Sequence, residues 1–294
     1  MSEPPRFPYR PIGERPPMRL PGGVRVAVFV VVNVEEWPLD QPIPRPVMPP
    51  PAGGPGPVPD VPNWSWHEYG MRVGFWRIKE LLDSLGIRAT VALNASVALS
   101  YPQIVRASRQ AGWEIMGHGF VQRALTREAD ERGVIRKTIQ VIRDAAGRAP
   151  RGWLGPGLAE TTHTADILAE EGVEYVCDWV IDDQPQALRV RAGRLVAMPY
   201  TLELNDSPLF AVQHAPGEEF VRRATAQFDT LYAEGATNAR IMPIALHPYL
   251  IGVPHRIGLL RHVLAYIRGH ADVLFWTGEE ILEWYVQHER PSTS

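Results

Sequence analysis

Glu35, His118 and His247 can each move protons, and each closely follows a short apolar run: Glu35 after residues 26–32, His118 after 113–116 and His247 after 241–246. Glu35 can take a proton from water, and either imidazole can give one to a leaving nitrogen. Asn33 is limited to orienting a substrate or donating to an oxyanion, because an amide cannot act as a base. Glu36 and Trp37 complete that first cluster, Trp37 as an apolar wall. Arg151 can hold a carboxylate or a developing oxyanion, Trp153 offers a second wall, and Gln122 is a neutral positioning amide. Asp183 reads either as a substrate ligand or, with Asp178 and Asp182, as part of a solvated acidic loop. Glu35 and His118, joined by Glu36 or His247, have the ligand types for zinc. No His-Glu-x-x-His and no cysteine pair fixes such a site, however. A Gly-x-Ser-x-Gly elbow is absent too, which leaves serine nucleophilic catalysis unsupported.

A regular alternation of strands and helices is what must position these groups. The mostly β-branched run over 26–32 has no polar alternation and suits a strand buried on both faces. Helical spacing is predicted at 73–85, 102–111, 126–146, 162–171, 218–233, 256–268 and 278–287, commonly closed by glycine. Short apolar strands are predicted at 87–93, 113–116, 151–154, 173–177, 195–199, 241–246 and 273–276. Six to eight β/α units with no hairpin signal predict a parallel sheet, and the count favours a barrel over an open sheet. In such a barrel the strand C-termini open on one face. Asn33, Glu35, Glu36, Asn94, His118, Arg151, Asp178, Asn205, Asp206 and His247 would then converge although they are scattered in sequence. No Gly-x-Gly-x-x-Gly follows the first strand and no phosphate-binding loop occurs, so nucleotide binding loses its main support.

The 294 residues are 45% hydrophobic, enough for one full core. The Pro-rich stretch 1–23 reads as an extended arm, residues 24–288 as a single catalytic barrel domain, and 289–294 as a tail. Within the barrel domain, residues 38–66 form a long Pro-rich loop suited to a lid. A net charge of −3 leaves no basic footprint for nucleic acid. No apolar stretch is long enough for a membrane span, and no signal-peptide layout opens the chain. The single cysteine, Cys177, rules out an internal disulfide. These features point to a cytoplasmic protein.

Four segments taken in order carry a resemblance: Asn33-Val-Glu35, Glu114-Ile-Met-Gly-His118-Gly119, Arg151-Gly-Trp153 and Leu246-His247-Pro248. Their order resembles the polysaccharide deacetylase (NodB-homology) family. The chain looks closest to the branch of PuuE-type allantoinases and peptidoglycan-deacetylase-like cyclic-imide hydrolases. Glu68-Tyr69-Gly70-Met-Arg72 and Leu246-His247-Pro-Tyr-Leu-Ile-Gly252 extend the likeness, which runs from about Pro21 to Tyr285. It implies a deformed (β/α)7 barrel that hydrolyses amide-type C–N bonds, as a homo-oligomer and often a tetramer. Metal-dependent members carry an Asp-x-Asp or Asp-Asp after the first strand and a His-x-x-x-His pair. Here Asn33 stands where the base is expected, Glu35 where a ligand is expected, and Gln122 replaces the second imidazole.

The expected function is hydrolysis of a small linear or cyclic amide, imide or ureide. Glu35, His118 and His247 are the catalytic candidates. Asn33, Glu36, Trp37, Gln122, Arg151, Trp153 and Asp183 are the substrate-binding candidates. No cofactor is expected; a zinc held by Glu35 and His118 is the alternative, as in a metal-dependent N-deacetylase of amino sugars or peptidoglycan. A non-catalytic barrel binding sugars or small amides is a third reading.

Overall fold

The computed structural model describes residues 6–50, 53–54 and 56–288. The tail expected over 289–294 and the first five residues of the arm lie outside the described residues. Strand β1 is Val26–Val34, followed by β2 (Thr90–Leu93), β3 (Glu114–Gly117), β4 (Gly152–Trp153) and β5 (Tyr175–Val176). Next come β6 (Gln186–Leu188), β7 (Leu195–Ala197), β8 (Arg240–Leu246) and β9 (Val273–Phe275). The sheet order is β6-β7-β5-β4-β3-β2-β1-β8, with β9 paired to β1. From β7 to β8 every pairing is parallel. Between β8 and the far edge the closure is ragged rather than a ladder. Ile241 N–H donates to Asp183 O at 2.9 Å, and Asn205 makes a lone bridge to Ala245. The result is a deformed α/β barrel, with helices packed outside.

One pairing departs from the expected all-parallel sheet: β6 runs antiparallel to β7. The six residues between them turn through Gly193 at φ +75°, a conformation open to glycine, and β6 lies at the sheet edge where one partner suffices. The expected loop over 38–66 is also shorter. Helix α1 (Val61–Tyr69) begins inside it, capped by the Asp60 side chain accepting from Asn63 N–H, with Pro62 in the first turn. A π-helical turn, Gly70–Gly74, carries α1 into α2 (Phe75–Ser84). At Gly70 a Cβ would meet Tyr249 N at 2.6 Å, and at Gly74 it would strike the Pro248 carbonyl. The glycines therefore let this helix press directly on the backbone that follows His247.

Side-chain alternation along the strands sorts the interior into two layers. On β1, Val26, Val28, Val30, Val32 and Val34 face outward, into a cluster that includes Phe75, Phe228 and Leu264 of the surrounding helices. Ala27, Phe29 and Val31 face the lumen with Met116, Leu154, Tyr175, Met198 and Ala245. This parity, extended one or two residues past each strand, decides which polar groups reach the mouth. The last part of the described arm lies against the other end, where Ala239 N–H donates to the Met18 carbonyl at 3.0 Å. Leu20 is buried in the inner cluster, and Arg15 pairs with Asp182 at 2.8 Å. Among the described residues no helix is long and apolar enough to cross a membrane.

Candidate active site

Asn33 and Glu35 continue the inward series of Ala27, Phe29 and Val31, so both project into the mouth of the lumen. His118 continues Met116, His247 continues Ala245, and Tyr200 continues Met198 by the same parity. They line one cavity of about 190 Å³ together with Trp37, Gln122 and Tyr249. Pro44 and Arg45, from the loop before α1, lie over it.

Glu35, 5% exposed, is the hub. Its Oε1 lies 3.4 Å from His247 Nε2 and 3.9 Å from His118 Nε2, and accepts from Gln122 Nε2 at 3.0 Å. Its Oε2 accepts from Trp37 Nε1 at 2.9 Å, with the Tyr249 hydroxyl at 3.5 Å. Burial alone would raise the Glu35 pKa, but the side chains of His118 and His247 outweigh it and hold the carboxyl well below its usual 4.5. A carboxylate only accepts, so the Gln122 amide must turn its NH₂ to Glu35 and its oxygen to Asn94 Nδ2, 3.3 Å away. Asn94 in turn accepts from Glu36 N–H at 2.9 Å and donates to the His118 carbonyl, locking the ends of β1 and β3 together.

The two imidazoles are set differently. His118 Nδ1 lies 2.6 Å from the Leu154 carbonyl, which can only accept, so Nδ1 carries the proton and Nε2 faces the cavity with no hydrogen-bond partner. His247 Nδ1 lies 2.6 Å from Asp206 Oδ1, whose other oxygen accepts from His247 N–H at 2.8 Å. Burial pulls the His247 pKa down, but the charges of Asp206 and Glu35 prevail and raise it to about 9. At neutral pH it is an imidazolium. The mouth thus holds a fixed carboxylate, a held proton donor and an unpartnered imidazole nitrogen within 4 Å of that carboxylate.

The other candidates divide by the same parity. Asn33 donates through Nδ2 to the Leu246 carbonyl at 3.2 Å and reaches the Tyr200 hydroxyl at 3.3 Å, on the cavity wall. Glu36 falls on the opposite side of the chain from Glu35 and does not line the cavity. Trp153 points outward with Gly117, whose absent Cβ would meet its ring at 2.7 Å, and belongs to a helix-facing cluster. Arg151 precedes β4, at the end of the barrel away from the mouth, where it pairs with Glu174 and with Glu283 at 2.9 Å. Asp183 lies beside the arm, in a separate cavity with Arg15. Asn94 and Asp206, expected among the converging strand-end groups, hold Gln122 and His247, whereas Tyr200 and Tyr249 line the cavity without having been expected there. Parity marks Tyr200, whereas Asp206 reaches His247 only through the fold.

The resemblance brings a divalent metal with it, and the donors here do not match one. Gln122 presents N–H to Glu35 where an imidazole would ligate, so the amide offers no donor atom on that side of the carboxylate. Among the described residues no group of three or more His, Cys, Asp or Glu side chains is arranged to hold a metal ion.

Residues 66–176 match the sequence model of the polysaccharide deacetylases. A Schizosaccharomyces pombe protein assigned to the polysaccharide deacetylases is 31% identical over 249 residues, spanning 76% of each chain. The crystal structure of PuuE allantoinase superposes with a TM-score of 0.82 at 29% identity, covering 96% of this chain and 98% of that one. A Pseudomonas aeruginosa protein assigned to the polysaccharide deacetylases superposes with a TM-score of 0.84 at 30% identity, covering 96% and 99%.

Proposed function

The chain belongs to the polysaccharide deacetylase family, hydrolases of C–N bonds other than peptide bonds, and from that premise we propose that it cleaves a small amide, imide or ureide without the family's metal triad. The observation that carries this reading is the cavity of about 190 Å³ under Pro44 and Arg45, walled by Glu35, His118 and His247. A cavity of ~150 Å³ admits benzene, so this one accommodates a single small ring with its substituents. The structural likeness to an allantoinase, which acts on a ureide, supports the same scale of substrate.

The chemistry follows from the fixed charges. Glu35 Oε1 and His118 Nε2, 3.9 Å apart, are spaced to share one water. Glu35, held ionised, orients that water beside His118 Nε2 and takes its proton as it attacks the carbonyl. The His247 imidazolium, kept charged by Asp206, polarises the carbonyl oxygen and gives its Nε2 proton to the departing nitrogen. Asn33, Tyr200 and Trp37 shape the wall.

A panel of hydantoins, cyclic imides, allantoin and N-acetylglucosamine oligomers tests the substrate scale. Turnover of the small compounds is expected, and turnover confined to the oligomers would overturn the proposal. Elemental analysis of the active protein, with rates before and after chelation, tests the metal. Activity that vanishes on chelation and returns with one added ion would restore the zinc alternative on Glu35 and His118.

A further inference from the structure

One charged group in the mouth has no counterpart. Arg45 lines the catalytic cavity, its Nη1 is buried, and among the described residues that nitrogen has no hydrogen-bond partner. A guanidinium cannot shed its proton near neutral pH, so the buried, unpartnered nitrogen of the half-buried side chain favours an anionic occupant of the cavity. The carboxylates nearby do not serve. Glu35 is met by Gln122, Trp37 and His247, and Asp206 by His247 and the Ile251 N–H.

Nor is Arg45 loosely placed. Two residues before it, Ile43 packs against the main hydrophobic cluster. Two and three residues after it, Val47 N–H and Met48 N–H both donate to Asn63 Oδ1 at 2.8 Å, and Asn63 Nδ2 returns a bond to the Met48 carbonyl at 2.9 Å. Asn63 is 2% exposed and sits in the first turn of α1, so the loop is clamped on both sides of the guanidinium. Such a clamp pre-organises the planar fork for a planar anion.

We infer that Arg45 binds a carboxylate on the substrate, so that the site selects small acidic amides or ureides, such as N-acyl or N-carbamoyl amino acids, over their neutral analogues. This rests on the cavity being the hydrolytic site proposed above. Arg45 acts as a specificity residue: it holds the end of the substrate remote from the scissile bond, while His247 faces the reacting carbonyl.

The test pairs N-acetylglycine and N-carbamoylglycine with their carboxamides, using the full chain, Arg45→Met, Arg45→Lys and Asn63→Ala. The unsubstituted chain should prefer each acid. Arg45→Met should lower kcat/KM for the acids about 10–100-fold, mainly through KM, the size of a charged hydrogen bond. The same variant should leave the carboxamides within about threefold, with Arg45→Lys intermediate and Asn63→Ala in the same direction as Arg45→Met. Equal losses on acid and carboxamide, falling on kcat, would overturn the inference and give Arg45 to the oxyanion. Carboxamides turned over as well as the acids would overturn it while leaving the hydrolase intact. Calorimetry with succinate against succinamide separates the two proposals. Succinate binding that Arg45→Met weakens, with no amide turned over, would retain the carboxylate site and sink the hydrolytic reading.

Discussion

Two carboxyl groups lie inside the same lumen at opposite ends, and their chemistry diverges. Glu35 at the mouth is 5% exposed and Glu114 at the base 2%, so accessibility does not distinguish them. The pKa of Glu35 is held well below 4.5, whereas that of Glu114 is pushed up to about 7. Burial raises both. The mouth answers with two imidazoles, while the base offers the Tyr175 hydroxyl at 2.6 Å, the Thr90 hydroxyl at 2.7 Å and the Glu279 N–H at 3.0 Å. Neutral donors lower a carboxyl pKa less than cations do, and the Glu279 charge opposes them at the base. An equally buried acid thus becomes a fixed anion where it meets imidazolium and a titrating group where it meets hydroxyls. The mouth is built to hold charge for chemistry, and the base to join β2, β3, β5 and the C-terminal helix Gly278–His288.

The comparison breaks most sharply at Glu35. Glu35→Gln keeps the shape and removes the charge that holds the water and pairs with His247. The expected loss in kcat is about 10²–10⁴-fold at pH 7, read on the best small amide of the panel. Near-normal turnover would take Glu35 out of the mechanism and reduce the mouth to another structural cluster.

Asp206→Asn sharpens the same end. With His247 as the acid, activity should fall as pH rises through about 9, where the imidazolium is lost. Removing the Asp206 charge lowers the His247 pKa, so this limb of the kcat/KM profile should move at least one unit towards neutrality. An unmoved limb would mean that His247 does not set it.

Glu114→Gln tests the base through stability. The folded pKa of about 7 lies above the unfolded value near 4.5, so the folded chain binds more protons between them. The Glu114 contribution is fully present below pH 4.5 and is lost as pH rises through 7, by about 3 kcal/mol in all. Urea midpoints at pH 5 and pH 8 should therefore separate the two chains. The native chain should lose more stability than the variant over that interval, with kcat/KM unchanged. Parallel pH curves would show that Glu114 does not titrate in the folded state.

The fold was legible in the alternation of apolar runs and helical spacings, and the mouth in the polar residues that end those runs. The direction of each side chain was less so. Glu35 and Glu36 are neighbours of equal chemistry, and only the inward parity of Ala27, Phe29 and Val31 selects Glu35. Trp153 and Arg151 are odd-numbered in a segment whose even positions, Gly152 of β4 and Leu154 just after it, face inward, so parity excludes both. Asp206 has no such signal. It lies beside a π-helical turn, Ser207–Val212, and meets His247 only because the sheet edge closes there. Arg45 sits in a Pro-rich segment without period, and its place depends on Asn63, which the expected loop ran past.

Arg151 gives the smallest effect and the cleanest control. Its guanidinium, 28% exposed, joins Glu174 to Glu283 and so ties the start of β4 to the C-terminal helix Gly278–His288. Paired charges this accessible are partly screened by water, and exposed pairs contribute about 0.2–1 kcal/mol each. Arg151→Ala should therefore lower stability by about 1 kcal/mol in urea unfolding, with part of the loss recovered in high salt through weaker repulsion between the two orphaned glutamates. Turnover should stay within about twofold of the native rate at every pH, because no atom of Arg151 lines the cavity. A loss in kcat approaching that of Glu35→Gln, with stability unchanged, would restore Arg151 to the site and dissolve the division between mouth and base.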